Sequence, residues 1–152
     1  MSMVTIINVN DGKLLEVAKG KYRIIVSGKE TGGQYAIIEM NVPPGGGPGP
    51  HAHNHIEELF YVASGELEFR SESGFHRVGA GATVRIPKGG GVHAFKNISG
   101  NEARLICTVY PAGLEEMFEE VSAAVPSEIP QIAKKFGNEL LPADYFESRS
   151  PD

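Results

Sequence analysis

Short apolar or alternating stretches, each bounded by turn residues, fill the first 110 positions of the chain. Segments 4–8, 22–27, 35–42, 59–62, 67–69, 83–86, 93–98 and 103–110 are rich in β-branched and aromatic residues. Between them lie Asn10-Asp11-Gly12, Gly32-Gly33, Ser64-Gly65, Gly79-Ala80-Gly81 and Ser99-Gly100-Asn101. These features predict strands at close spacing, the mark of a sandwich or barrel rather than of βαβ units. The alternation is cleanest where Glu66, Glu68 and Arg70 point one way and Leu67 and Phe69 the other. Segment 59–62 is apolar on both faces, a buried-strand pattern, and Phe60 and Val62 share the face of Glu58.

After Pro111 the period changes. Leu114, Met117, Phe118 and Val121 follow i, i+3, i+4, i+7, which predicts an amphipathic helix over 113–124. A second helix is expected from a cap at Ser127, with Pro130 in its first turn, to a stop at Gly137. Such stripes are packing surface, fit to cap a barrel or to join a dimer contact. The expected organisation is one domain over 1–141 with a polar, loosely held tail over 142–152.

Composition narrows the picture. A chain of 152 residues suits a single domain with a real core. Its 19 glycines and 10 prolines follow no collagen-like period, so they punctuate strands. A net charge of −5 without a Lys/Arg cluster argues against a nucleic-acid partner. Cys107 is the only cysteine, which excludes an intrachain disulfide; within LICTVY it reads as a buried, inert thiol. The first residues lack the basic-then-apolar layout of a signal peptide, and no apolar run approaches the ~18–20 residues of a bilayer span. A cytoplasmic protein with no membrane partner is the expectation.

The chemistry concentrates at GPGPHAHNHIEELFYV, where three of five histidines fall within five positions. Residues two apart on a strand share a face, so His51 and His53 can converge on one point, and so can His53 and His55. A metal ion needs such convergence, with ligand nitrogens at about 2.0–2.2 Å. Glu58 has the opposite parity and joins them only if the chain bends or bulges between Asn54 and Glu57. The fourth ligand must come from elsewhere. His76 lies in a polar hairpin and reads as solvated, whereas His93 opens an apolar strand where a ligand can reach inward. Phe95 shares the parity of His93, and with Phe60 and Val62 it is a candidate lining residue for a substrate.

The run Gly45-x5-His51-x-His53-x4-Glu58-x6-Gly65 resembles the first motif of the cupins. Gly81-x5-Pro87-x-Gly89, followed by His93-x3-Asn97, resembles the second. SGKETGGQYAIIEMNVPPGGGPGPHAH before the first motif and YPAGLEEMFEEV after the second resemble the single-domain quercetin-dioxygenase-like cupins, over about residues 22 to 142. One residue more than the family's usual spacing separates Pro87 from His93; it is absorbed in Gly89-Gly90-Gly91, a loop expected to be mobile.

The resemblance implies an all-β fold, a small antiparallel double-stranded β-helix (a jelly-roll barrel) with two short C-terminal helices, usually as a homodimer. It prefers His51 and His53 as the histidine pair and leaves His55 at the rim, with Glu57 facing outward. One divalent transition metal per chain (Fe, Mn, Ni or Co, with Zn also fitting) would then be held by His51, His53, Glu58 and His93. The activity implied is a metal-dependent, quercetinase-like dioxygenase acting on a small enolic or phenolic compound, with dioxygen as co-substrate. Glu58 would serve both as ligand and as acceptor of the substrate's hydroxyl proton. The alternatives are a metal-assisted isomerase, cyclase or decarboxylase, and a non-catalytic small-molecule-binding barrel.

Overall fold

The computed structural model describes residues 3–147. Eleven strands run in the order β1 (Lys13–Val17), β2 (Gly20–Val26), β3 (Ala36–Val42), β4 (His51–His53), β5 (Glu57–Ser64), β6 (Glu66–Ser71), β7 (Gly74–Gly79), β8 (Thr83–Ile86), β9 (His93–Lys96), β10 (Ala103–Tyr110) and β11 (Asn138–Leu140). Helices α1 (Leu114–Ala123) and α2 (Ile129–Lys135) intervene between β10 and β11, with a short 3-10 turn at Pro126–Glu128. The strands form two sheets, β1-β2-β3-β10-β5-β8 and β11-β4-β9-β6-β7, and their pairings are antiparallel. The result is the expected all-β jelly-roll barrel with two C-terminal helices.

Alternation places the core. On β3, Ala36, Ile38, Met40 and Val42 are buried; on β10, Ala103, Leu105, Cys107 and Val109; on β5, Glu58, Phe60 and Val62. Register pairs Glu58 with Val109 and Phe60 with Cys107, so a carboxylate stands on the same inner surface as the apolar core. Leu67 and Phe69 face inward from the opposite sheet, as the charge alternation of β6 predicts.

Several boundaries differ from expectation. Segment 4–8 forms no strand: it has β-branched residues but no pairing partner, and Val4 is 94% exposed. The sheet instead begins at β1, an edge strand whose Leu15 and Val17 turn inward against β2. β7 extends the polar hairpin carrying His76, and β11 pairs with β4. The second helix begins without a Ser127 cap, because the chain first makes the 3-10 turn and no side chain caps either start. Pro130 does occupy its first turn, and Gly137 follows its end with φ 78°. Of the expected tail over 142–152, the part beyond 147 lies outside the described residues. The rest packs on the β6–β7 hairpin: Phe146 is buried and meets Phe75 edge-on, while Arg70 Nη1 donates to Glu147 Oε1 at 3.0 Å.

Candidate metal centre and cavity

β4 and β9 pair directly, with His51 opposite His93. His53, two residues along β4, falls on the same side. Glu58 arrives from the other sheet. Its parity problem is resolved by the expected bend at residues 54–56, which also carries the chain from β4 in one sheet to β5 in the other. The four side chains meet between the sheets, one ligand atom from each, all within 4.8 Å of one another. Ring centroids lie 4.3 Å apart for His51 and His93, and 4.8 Å for His53 and His93.

Hydrogen bonds fix two of the tautomers. His51 Nδ1–H donates to the Gly49 carbonyl at 2.8 Å, and His93 Nδ1–H donates to the Gly91 carbonyl at 3.0 Å. In a neutral imidazole the other nitrogen, Nε2, then keeps its lone pair for the cluster. Gly91 thus gives the glycine loop a task, since its carbonyl orients His93.

The remaining atoms are crowded and unsatisfied. His53 Nδ1 and Nε2, Glu58 Oε1 and His93 Nε2 are sealed from solvent and make no hydrogen bond, although His53 Nε2 and Glu58 Oε1 are in direct contact. His93 Nε2 lies 3.7 Å from the same oxygen. Buried polar atoms without partners are rare, and converging lone pairs need a positive charge between them. Three imidazoles and one carboxylate therefore fit a single divalent ion.

Electrostatics agree. Burial lowers the His51 pKa to about 4, helped by His93 and opposed by Glu58, so the ring is neutral at physiological pH. Burial alone would raise Glu58, but contacts with the His53 and His93 rings outweigh it and hold the carboxyl well below its usual range. The other carboxylate oxygen, Oε2, accepts from the Cys107 thiol at 3.5 Å. Burial, then Glu58 itself, pushes that thiol's pKa up, leaving it a protonated donor.

The neighbouring residues of the motifs do other work. His55 is exposed beside Gly137, and His76 meets Ser73 Oγ at 3.2 Å on the outer hairpin. Glu57 accepts from Arg85 Nε at 2.5 Å on the outside of the barrel. Asn97 is a turn lock: Nδ2 donates to the Val42 and Asn101 carbonyls at 2.9 and 2.7 Å, and Oδ1 accepts from Ser99.

From the cluster a cavity of about 280 Å³ opens toward the C-terminal helices. Phe60 and Phe95 line it beside His51 and Glu58; Val62 does not, being wholly enclosed in the core. The far wall is Leu114, Met117, Phe118 and Val121 of α1 with Ile129 and Ala133 of α2. Sequence reasoning recognised that stripe as packing surface without seeing that it faces the metal cluster. It also missed Tyr22 and Met40, which line the cavity from β2 and β3. Their inward parity was legible; their nearness to His51 depends on how the sheets close.

Residues 38–109 match the Cupin domain family. No curated protein matches the chain significantly. Among solved structures, the polyketide cyclase RemF from Streptomyces resistomycificus is 23% identical with a TM-score of 0.63, over 71% of this chain and 80% of the cyclase. A predicted oxalate decarboxylase from Thermotoga maritima is 16% identical with a TM-score of 0.65, over 70% of this chain and 99% of that one. KdgF from Halomonas sp. is 15% identical with a TM-score of 0.64, over 74% and 99% respectively. At such identities the likeness is one of fold. The domain match and the barrel neighbours together support the cupin superfamily.

Proposed function

We propose that this cupin-fold chain is a metal-dependent dioxygenase acting on a small, neutral enolic or phenolic compound. The observation that carries the reading is the lining of the cavity. Glu58 is its one acidic residue, no lysine or arginine is among the described lining residues, and the remaining wall is mostly aliphatic and aromatic. A dicarboxylate, sugar phosphate or uronate would find no basic side chain to meet its charge, whereas a flat apolar ring system would be well covered.

Within this reading His51, His53, Glu58 and His93 hold one divalent ion. When bound, that ion supplies Lewis acidity and, if it is iron, manganese, cobalt or nickel, redox chemistry with dioxygen. The chain's own residues do the rest. Glu58 is ionised at neutral pH and stands at the cavity's inner end, positioned to accept the hydroxyl proton of an incoming substrate. Phe60 and Phe95 present aromatic surface to its ring system and exclude water.

The test is oxygen uptake by protein loaded in turn with each ion, using a flavonol and simpler hydroxyketones as substrates. Dioxygen consumption matching substrate loss is expected. Turnover that persists unchanged without oxygen would replace the dioxygenase by a metal-assisted cyclase or isomerase, for which the same apolar cavity is suited. Ligand binding without product from any metal form would make the barrel a binding module.

We also propose a homodimer. Val4, Ile6 and Val9 form an exposed apolar run next to β1, an edge strand of its sheet. Light scattering should give a dimer mass, reduced by removal of residues 1–9; a monomer at all concentrations would contradict it.

A further inference from the structure

Tyr22, on β2, is 2% exposed and lines the same cavity as His51 and Glu58. Its ring is held in place. Phe118 of α1 meets it edge-on with centroids 5.1 Å apart, and register sets Tyr22 between Leu15 of β1 and Met40 of β3. Its hydroxyl has no hydrogen-bond partner among the described residues. Tyr22 lines the cavity, and its hydroxyl lies within electrostatic reach of Glu58 and Cys107.

A buried tyrosine hydroxyl normally finds a partner, and leaving a donor unmet is unfavourable. An unmet donor on a fixed ring therefore marks where a ligand atom belongs. Burial, reinforced by nearby Cys107 and Glu58, pushes the phenol's pKa up, so the group stays an O–H donor throughout the physiological range. With no basic residue in the lining, the acceptor that best suits this donor is a neutral oxygen.

We propose that the Tyr22 hydroxyl donates a hydrogen bond to a carbonyl oxygen of the bound substrate. This rests on the reading of the cavity as a substrate pocket and assigns to Tyr22 the recognition of the substrate's second oxygen. The substrate is then gripped at two points, its hydroxyl at the Glu58 end and its carbonyl at Tyr22. Tyr22 is a substrate-binding residue that selects for the second oxygen.

Tyr22→Phe keeps the ring and removes only the donor. Two probes separate the contributions: 3-hydroxyflavone, a neutral enol with a carbonyl, and 2-naphthol, an apolar phenol without one. Each is titrated into the zinc-supplemented full chain and its variant. Affinity for 3-hydroxyflavone should fall about tenfold in the variant while affinity for 2-naphthol stays within about twofold. Equal losses for both probes, or no loss for 3-hydroxyflavone, overturn the role of Tyr22 alone. Wild-type protein that binds neither probe overturns the pocket reading, and the role of Tyr22 with it. The ligand-free variant should also melt no lower than wild type, because the deleted hydroxyl has no partner to lose. A clear drop in melting temperature would show a structural bond and overturn the proposal independently.

Discussion

Glu58 carries its negative charge into the interior of the barrel. It is buried among core residues, touches His53, and rests its second oxygen against the Cys107 thiol. Glu58→Gln removes the only negative charge in the cluster. Metal affinity should therefore fall by more than the roughly 10–100-fold that follows loss of a residue merely supporting a ligand; wild-type affinity in a competition titration would exclude Glu58 as a ligand. His55→Ala and His76→Ala should leave metal content unchanged, since both side chains lie outside the cluster. The acid response of the metal-free protein has a definite sign. His51 titrates at about 4 when folded against 6.5 when free, so the unfolded chain takes up the proton first. Stability contributed at this site is complete above 6.5 and lost as pH falls from there toward 4. Glu58, depressed when folded, contributes stability above its ordinary 4.5 and adds to the loss below it. Denaturant midpoints that stay level across this range would contradict both assignments. The four cluster residues were legible because their types and intervals repeat a known motif. Tyr22 was not, since it lies far upstream and only Phe118 and the closing sheets bring it to the site.

Elements explain why the motif glycines and Asn97 accompany the ligands. Gly45 N–H donates to the Asn97 carbonyl at 2.8 Å, and Asn97 N–H donates to the Gly46 carbonyl at 2.9 Å, so the loop before β4 is laced to the end of β9. Gly47 then passes so close that a Cβ would strike the Phe95 carbonyl, and its φ is 126°. Gly47→Ala should destabilise the fold by at least ~1–2 kcal/mol, from backbone conformation alone, and shift β9 together with His93. Unchanged unfolding midpoints would show that this close approach is not a constraint. Strands with a clean inward face, such as β3, β6 and β10, were readable from alternation. Segment 4–8 was misread because β-propensity says nothing about whether a neighbouring strand exists to pair with it. The bend between β4 and β5 was legible from the parity of Glu58, but its change of sheet was not. A change of sheet is a tertiary event that residue parity alone cannot reveal.

At the scale of the whole molecule, two sheets and two helices enclose a charged cluster at one end of an apolar cavity. The helices' inner face, Leu114, Met117, Phe118 and Val121, was visible as a stripe; what it covers became clear only from the closed barrel. A bound ion would draw one ligand atom each from His51, His53 and His93 of one sheet and from Glu58 of the other, so metal and fold should be coupled. Free metal at about 100 times its dissociation constant should stabilise the protein by about 2.7 kcal/mol, reversed by chelator. The most direct test of the metal centre is elemental analysis of untagged protein purified without chelator from medium supplied with each candidate metal, alongside His93→Ala. About one divalent ion per chain is expected, and its loss in the variant. Protein that carries no metal under any condition, or a variant that keeps a full complement, would contradict it.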